Sequence, residues 1–133
     1  MSRLHEFTRL RLKTEEPLIL AGDFNVIPEP RDARFPANWA RDALYQPEPR
    51  RAFRRLLNLG LVDAFRATNQ GDGHYTFWDY QAGAWQKNNG IRIDHMLLSP
   101  QAADRFRWAA VDGEPRGWGK PSDHTPAIID IEV

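Results

Sequence analysis

A chain of 133 residues that is 41% hydrophobic and 11% aromatic, with five Trp, is long enough for one globular domain with a sizeable core. Eighteen basic and eighteen acidic residues cancel, which excludes a global positive field, so any contact with nucleic acid has to use local clusters. The absence of Cys excludes disulfides, thiol nucleophiles and zinc-thiolate sites, and no apolar run has the length of a membrane span or signal peptide; a soluble cytoplasmic protein is expected.

In the first segment Leu4, Phe7 and Leu10 recur at three-residue intervals among Arg3, Glu6, Arg9, Arg11 and Lys13. That spacing predicts an amphipathic helix over 1–14, with His5 an exposed bystander. Leu18, Ile19, Leu20 and Ala21 then read as a short buried strand that ends in Gly22-Asp-Phe-Asn25, where Gly22 permits a tight backbone approach. In extended backbone Asp23 and Asn25 share one face while Phe24 packs on the other. Asp23 can accept a proton from water or hold it in line, and Asn25 can donate to a phosphoryl oxygen or to Asp23. The same residues, with Pro28 and Pro30 close behind, read equally as a turn.

The stretch 27–49 carries five prolines and little periodicity, which predicts a long ordered surface loop whose Arg31, Arg34 and Arg41 are either solvated, the favoured reading, or in contact with phosphate. A helix is expected over 50–59, with Phe53, Leu56 and Leu57 inward, Arg50, Arg51, Arg54 and Arg55 outward, and Gly60 ending it. A short helical piece over 61–65 follows, before Asn69-Gln-Gly-Asp-Gly73 breaks the chain. Tyr75-Thr-Phe-Trp-Asp-Tyr80 is an aromatic strand or loop; its rings are either core or, through Phe77 and Trp78, an element that wedges into a groove or stacks on a sugar or base. Residues 83–90 form a polar, hairpin-like connection.

Residues 91–98 read as a strand, with Ser99-Pro100 opening a short helix. Arg92 and Asp94 are expected on one face. A carboxylate inside so apolar a strand is costly to bury alone, so Asp94 predicts a partner; His95 is expected to be a core histidine. Strands over 106–111 and 127–133 flank a second long loop that leads into Ser122-Asp-His-Thr-Pro126. His124 supplies the partner that Asp94 lacks, an imidazole that a buried carboxylate orients and holds protonated. Such a pair places positive charge or a hydrogen-bond donor on a phosphate oxygen, while Asp123 is able to reach a hard, oxygen-seeking cation of the magnesium kind.

On Gly22-Asp-Phe-Asn25, Tyr75-Thr-Phe-Trp-Asp-Tyr80, Arg92-Ile-Asp94 and Gly117-Trp-Gly-Lys-Pro-Ser-Asp-His-Thr-Pro126, nearly the whole chain resembles the C-terminal half of the exonuclease III type of abasic-site endonuclease, in the endonuclease/exonuclease/phosphatase superfamily. The resemblance implies an α+β fold: half of a four-layer, DNase I-like α/β-sandwich, with one mixed, mostly antiparallel sheet and helices on one face. The chain would then be a single domain over 1–133 lacking an N-terminal half that supplies a strand-end Asn, the main metal-binding Glu and a phosphate-contacting Tyr. The activity implied is magnesium- or manganese-dependent attack of water on a DNA phosphodiester, 5′ to an abasic site or at a 3′ end. Catalytic roles fall to Asp23, Asn25, Asp94 and His124, a metal-binding role to Asp123, and contact with the baseless sugar to Phe77, Trp78 and Ile93.

By itself the chain is then expected to be inactive, and to cover its bare sheet by forming a homodimer. Two readings stand beside this one. The chain is a non-catalytic remnant that binds DNA or protein, or it is a phosphatase or phosphodiesterase that shares only the superfamily motifs.

Overall fold

Helix α1 (Ser2–Leu12) opens the computed structural model, which describes residues 2–133. Its inward stripe is Leu4, Thr8 and Leu12, with Thr8 fully buried and its hydroxyl donating to Leu4 O at 2.7 Å. Phe7 and Leu10, expected inward, are 51% and 49% exposed. The helical period explains the difference: each three-residue step turns back by about 60°, whereas steps of four stay nearer one face.

Helix α2 (Pro47–Asn58) lies beside α1 and buries Ala52, Phe53 and Leu56. It starts earlier than its apolar pattern suggests because Pro47 and Pro49 suit a first turn and Glu48 suits its positive end. Arg51, Arg54 and Arg55 form the expected wet face, and Gly60 follows the helix end at φ +109°. Arg50 instead turns inward, donating to Pro28 O at 3.1 Å with its guanidinium over the Tyr45 ring. The loop between Ile27 and Gln46 is ordered by 3-10 turns at Pro30–Asp32, Pro36–Trp39 and Ala43–Tyr45.

Strands β1 (Ile19–Asp23), β2 (Val62–Asp63) and β3 (Asp94–Leu98) form an antiparallel sheet in the order β1-β3-β2. The expected helix at 61–65 is displaced by β2 to α3 (Ala64–Thr68), which Asp63 caps by accepting the Arg66 N–H. Ser99 caps α4 (Pro100–Ala103), after which β4 (Phe106–Val111) pairs antiparallel with β5 (Ala127–Ile131). The class is α+β as expected. In place of one mixed sheet there are, among the described residues, two sheets, one of three strands and one of two, all of whose pairs are antiparallel.

Central strand β3 is buried on both faces, which is why it reads as a continuous apolar run. Leu97 joins the cluster under α1 and α2, while Met96 and Leu98 join one built with α3, α4, β4 and β5. His95, on the Leu97 side, is a core histidine as expected. Its Nε2–H donates to Val26 O at 3.0 Å, and burial, aided by the Arg92 charge, pushes its pKa down to about 4.

Strand β1, expected to be buried, is largely exposed; Ile19 shows 39% of its surface. It is an edge strand, and among the described residues no strand pairs with its outer edge. Gly22 also differs from expectation. A Cβ there would meet nothing within 4 Å, and what Gly22 answers is a φ of +150°.

Neither a strand at 75–80 nor a hairpin at 83–90 forms. Phe77 makes single-residue bridges to Ile91 and His124, and 82–88 winds through turns. Tyr75, Trp78 and Ala84 form a small core with Trp85, and the Trp78 indole N–H donates to Asn88 Oδ1 at 3.0 Å. Gly90 is forced by this cluster, since a Cβ there would come within 2.6 Å of Trp78 Nε1.

Arg92 does not share a face with Asp94. It turns into the protein at 1% exposure, bonding Asp32 Oδ1 at 2.7 Å and Asp63 Oδ2 at 2.9 Å. Asp32, fully buried, also pairs with Arg66. Burial alone would raise the Asp63 carboxyl, but the Arg92 charge and hydrogen bonds outweigh it and hold that group below the ordinary carboxylate range.

Candidate active site

The ladder between β1 and β3 ends by setting Asp23 directly opposite Asp94. Two carboxylates facing each other across strands repel, so the pair needs a cation or a shared donor. His124 meets that need. Its Nδ1 lies 2.8 Å from Asp94 Oδ2, and its Nε2 lies 3.7 Å from Asp23 Oδ2. The three side chains offer ligand-type atoms within 4.8 Å of one another and remain partly open to solvent.

Each member is held by its backbone. Just past β1 the Phe24 N–H donates to Ile93 O at 3.0 Å, and the Phe24 ring packs edge-on against Phe53 and His95. Asn25 then leaves extended backbone at φ +50°, and its N–H donates to Asp23 Oδ1 at 2.8 Å. Asp23 and Asn25 are therefore neighbours through a local turn and not through strand alternation.

Thr76, fully buried, ties the other two members together. Its hydroxyl accepts from the N–H groups of Ile93 and Asp94 at 3.1 and 3.2 Å, and its carbonyl accepts the Thr125 N–H at 2.8 Å. The His124 ring also packs at 64° against Phe77, centroids 5.1 Å apart.

The remaining expected site residues divide. Phe77 is half-buried beside His124. Trp78 and Ile93, expected to line a sugar pocket, are 4% and 2% exposed. Trp78 is held by Tyr75, Trp85 and Asn88, and Ile93 is packed with Ile27, Ala33 and Ile91, so neither offers a surface. Asp123 is half-buried, its carbonyl accepts the Trp78 N–H at 3.0 Å, and its side chain stands outside the three-residue cluster. Sequence reasoning missed Thr76; the available signal was a lone hydroxyl among aromatic residues, which must find partners if buried.

A family model described as "Endonuclease/Exonuclease/phosphatase family" matches residues 1–124. The exodeoxyribonuclease of Bacillus subtilis is 34% identical over 125 residues, 93% of this chain and 48% of that protein. The solved 3′-5′ exonuclease from Neisseria meningitidis matches at 35% identity with a TM-score of 0.92, covering 98% of this chain and 51% of the other. An AP endonuclease structure from Archaeoglobus fulgidus matches at 33% identity with a TM-score of 0.91, covering 99% and 52%. The chain thus has the DNase I-like fold in part and spans about half the length of these relatives. The expectation that this is their C-terminal half is not borne out by the matches, because a covered share fixes a length and not a position.

Proposed function

The chain belongs to the endonuclease/exonuclease/phosphatase family, and from there we propose that it carries part of the hydrolytic site of a DNA-repair phosphodiesterase of the exonuclease III type. The observation that carries this reading is the convergence of Asp23, Asp94 and His124 at one end of the sheet, open to solvent. Its substrate would be DNA at an abasic site or a 3′ end.

Asp23, with one oxygen fixed by the Asn25 N–H, orients the attacking water and takes its proton. The water oxygen bonds to phosphorus as the bond from phosphorus to the leaving oxygen breaks. Asp94 holds the His124 ring through Nδ1 and turns its Nε2 toward the phosphoryl oxygens, where negative charge develops. Asn25, exposed beside Asp23, donates its side-chain amide to the same phosphate.

Oxygen donors suit a magnesium or manganese ion, and Asp123, half-buried next to His124 in the chain, is the side chain that would hold it. It would supply positive charge to the phosphate oxygens. The chain spans about half the length of the nucleases it resembles, and we infer that by itself it is inactive.

The test is a substrate panel with magnesium, run on a complete family domain that contains this chain: an abasic duplex, a recessed 3′ end, and a phosphoinositide. Cleavage of DNA, lost in Asp23→Asn, is the expected result. Hydrolysis of the phosphoinositide alone would assign the chain to a phosphatase branch. DNA binding without cleavage by a folded domain would make it a binding remnant.

A further inference from the structure

Trp118 is 62% exposed, the most open of the five Trp, and stands six residues from His124 in the loop before β5. A loose loop tip would account for such exposure, but this turn is braced. Arg116, 6% exposed, donates through Nη2 to Trp78 O and Asp79 O at 3.0 and 3.2 Å, and its guanidinium lies over the Tyr80 and Trp85 rings. Gly117 presses on the same cluster, since a Cβ there would lie 3.0 Å from the Trp85 ring. The Trp118 N–H donates to Pro115 O at 3.1 Å, closing the 3-10 turn Glu114–Gly117. The backbone is fixed while the indole stays open to solvent, which leaves a rigidly placed ring face free for contact.

An open cavity of about 470 Å³ is bordered by Trp118, Lys120, Ser122, His124 and Pro126. Trp118 and His124 therefore share one concavity, with the exposed cation of Lys120 between them in the chain. Lys120 sits at φ +52°, a left-handed conformation uncommon for a residue with a side chain.

We propose that Trp118 is a stacking platform for a nucleobase of the strand whose phosphate His124 holds, with Lys120 meeting a neighbouring phosphate of that strand. The inference rests on reading His124 as a phosphate-binding group. Every base offers a flat π-face, so an indole gives affinity without sequence preference, and the lysine adds a salt-dependent contact.

The experiment measures binding of the chain to labelled single strands and 3′-recessed duplexes by fluorescence anisotropy, with calcium replacing magnesium. Trp118→Ala should weaken binding by roughly five- to a hundredfold, and Trp118→Phe should keep most of it. An abasic spacer is then walked along the strand. At one position it should weaken the parent by the same factor while leaving Trp118→Ala no worse, which identifies the base that stacks. An unchanged melt confirms that the variant is folded. Parent binding that Trp118→Ala leaves unchanged on every oligonucleotide overturns this inference alone. A parent chain that binds no DNA overturns the reading of His124 and this inference together.

Discussion

Replacing Arg92 by Met removes a guanidinium but keeps most of its volume, so it isolates the charge in the buried network below the site. Asp32 retains Arg66, but Asp63, only 10% exposed at its side chain, loses its cation. Removing one partner of a buried pair costs about 3–5 kcal/mol, and because Asp32 keeps one arginine the lower end, about 3 kcal/mol, is expected here. With a urea dependence of about 2 kcal/mol per molar for a domain this size, the unfolding midpoint should fall by about 1.5 M. Urea titration followed by Trp fluorescence reads this directly. The pH dependence adds a second, signed test. In the parent the Asp63 carboxyl lies below its ordinary range, whereas without Arg92 burial alone raises it. The stranded carboxylate then protonates in mild acid, so the gap between parent and variant should narrow as pH falls from 7 toward 5. A midpoint shift under about 0.3 M, or a gap independent of pH, would refute the network's role.

His95 makes stability itself acid-sensitive. Its folded pKa, about 4, lies below the ordinary 6.5, so its contribution is whole above 6.5 and is lost as pH falls toward 4, by about 1.4 kcal/mol per unit and about 3 kcal/mol in all; melts of His95→Gln over that window should show a shallower decline than the parent. Thr76→Val strands two buried N–H donors and should cost about 2 kcal/mol or more with faster amide exchange at Ile93 and Asp94, whereas Thr76→Ser should restore both; equal exchange in the two variants would remove the clamp. The unpaired edge of β1 with its exposed Ile19, together with the exposed Phe7 and Leu10 of α1, should drive self-association at micromolar concentration, and a monomer by light scattering with a cooperative melt would contradict it.

Elements with their own period or punctuation were legible in the sequence. The run Asp94–Leu98 is apolar on both faces because both are buried, and Ser99-Pro100 announces α4 chemically. The Asp94–His124 pair was legible too, because a carboxylate in such a strand demands a partner. Other features depend on tertiary placement. Exposure of β1 follows from its edge position, which composition does not encode, and the inward place of Thr8, polar yet fully buried through its bond to Leu4 O, is not read from apolarity. Arg92 is expected on the face of Asp94 by strand alternation, yet its charge is consumed by Asp32 and Asp63, sixty and twenty-nine positions away. Trp78 has the chemistry of a stacking residue, but a glycine at position 90 lets the chain close over it.

The most direct test of the site is a transplant. Replacing the matched 51% of the Neisseria 3′-5′ exonuclease with this chain places Asp23, Asp94 and His124 in a complete domain of the same fold. The transplanted enzyme is expected to act on DNA 3′ ends with magnesium, and Asp23→Asn or His124→Ala should each lower the rate by about a hundredfold or more with the melt unchanged. Activity that survives both substitutions would contradict the assignment of catalysis to these side chains.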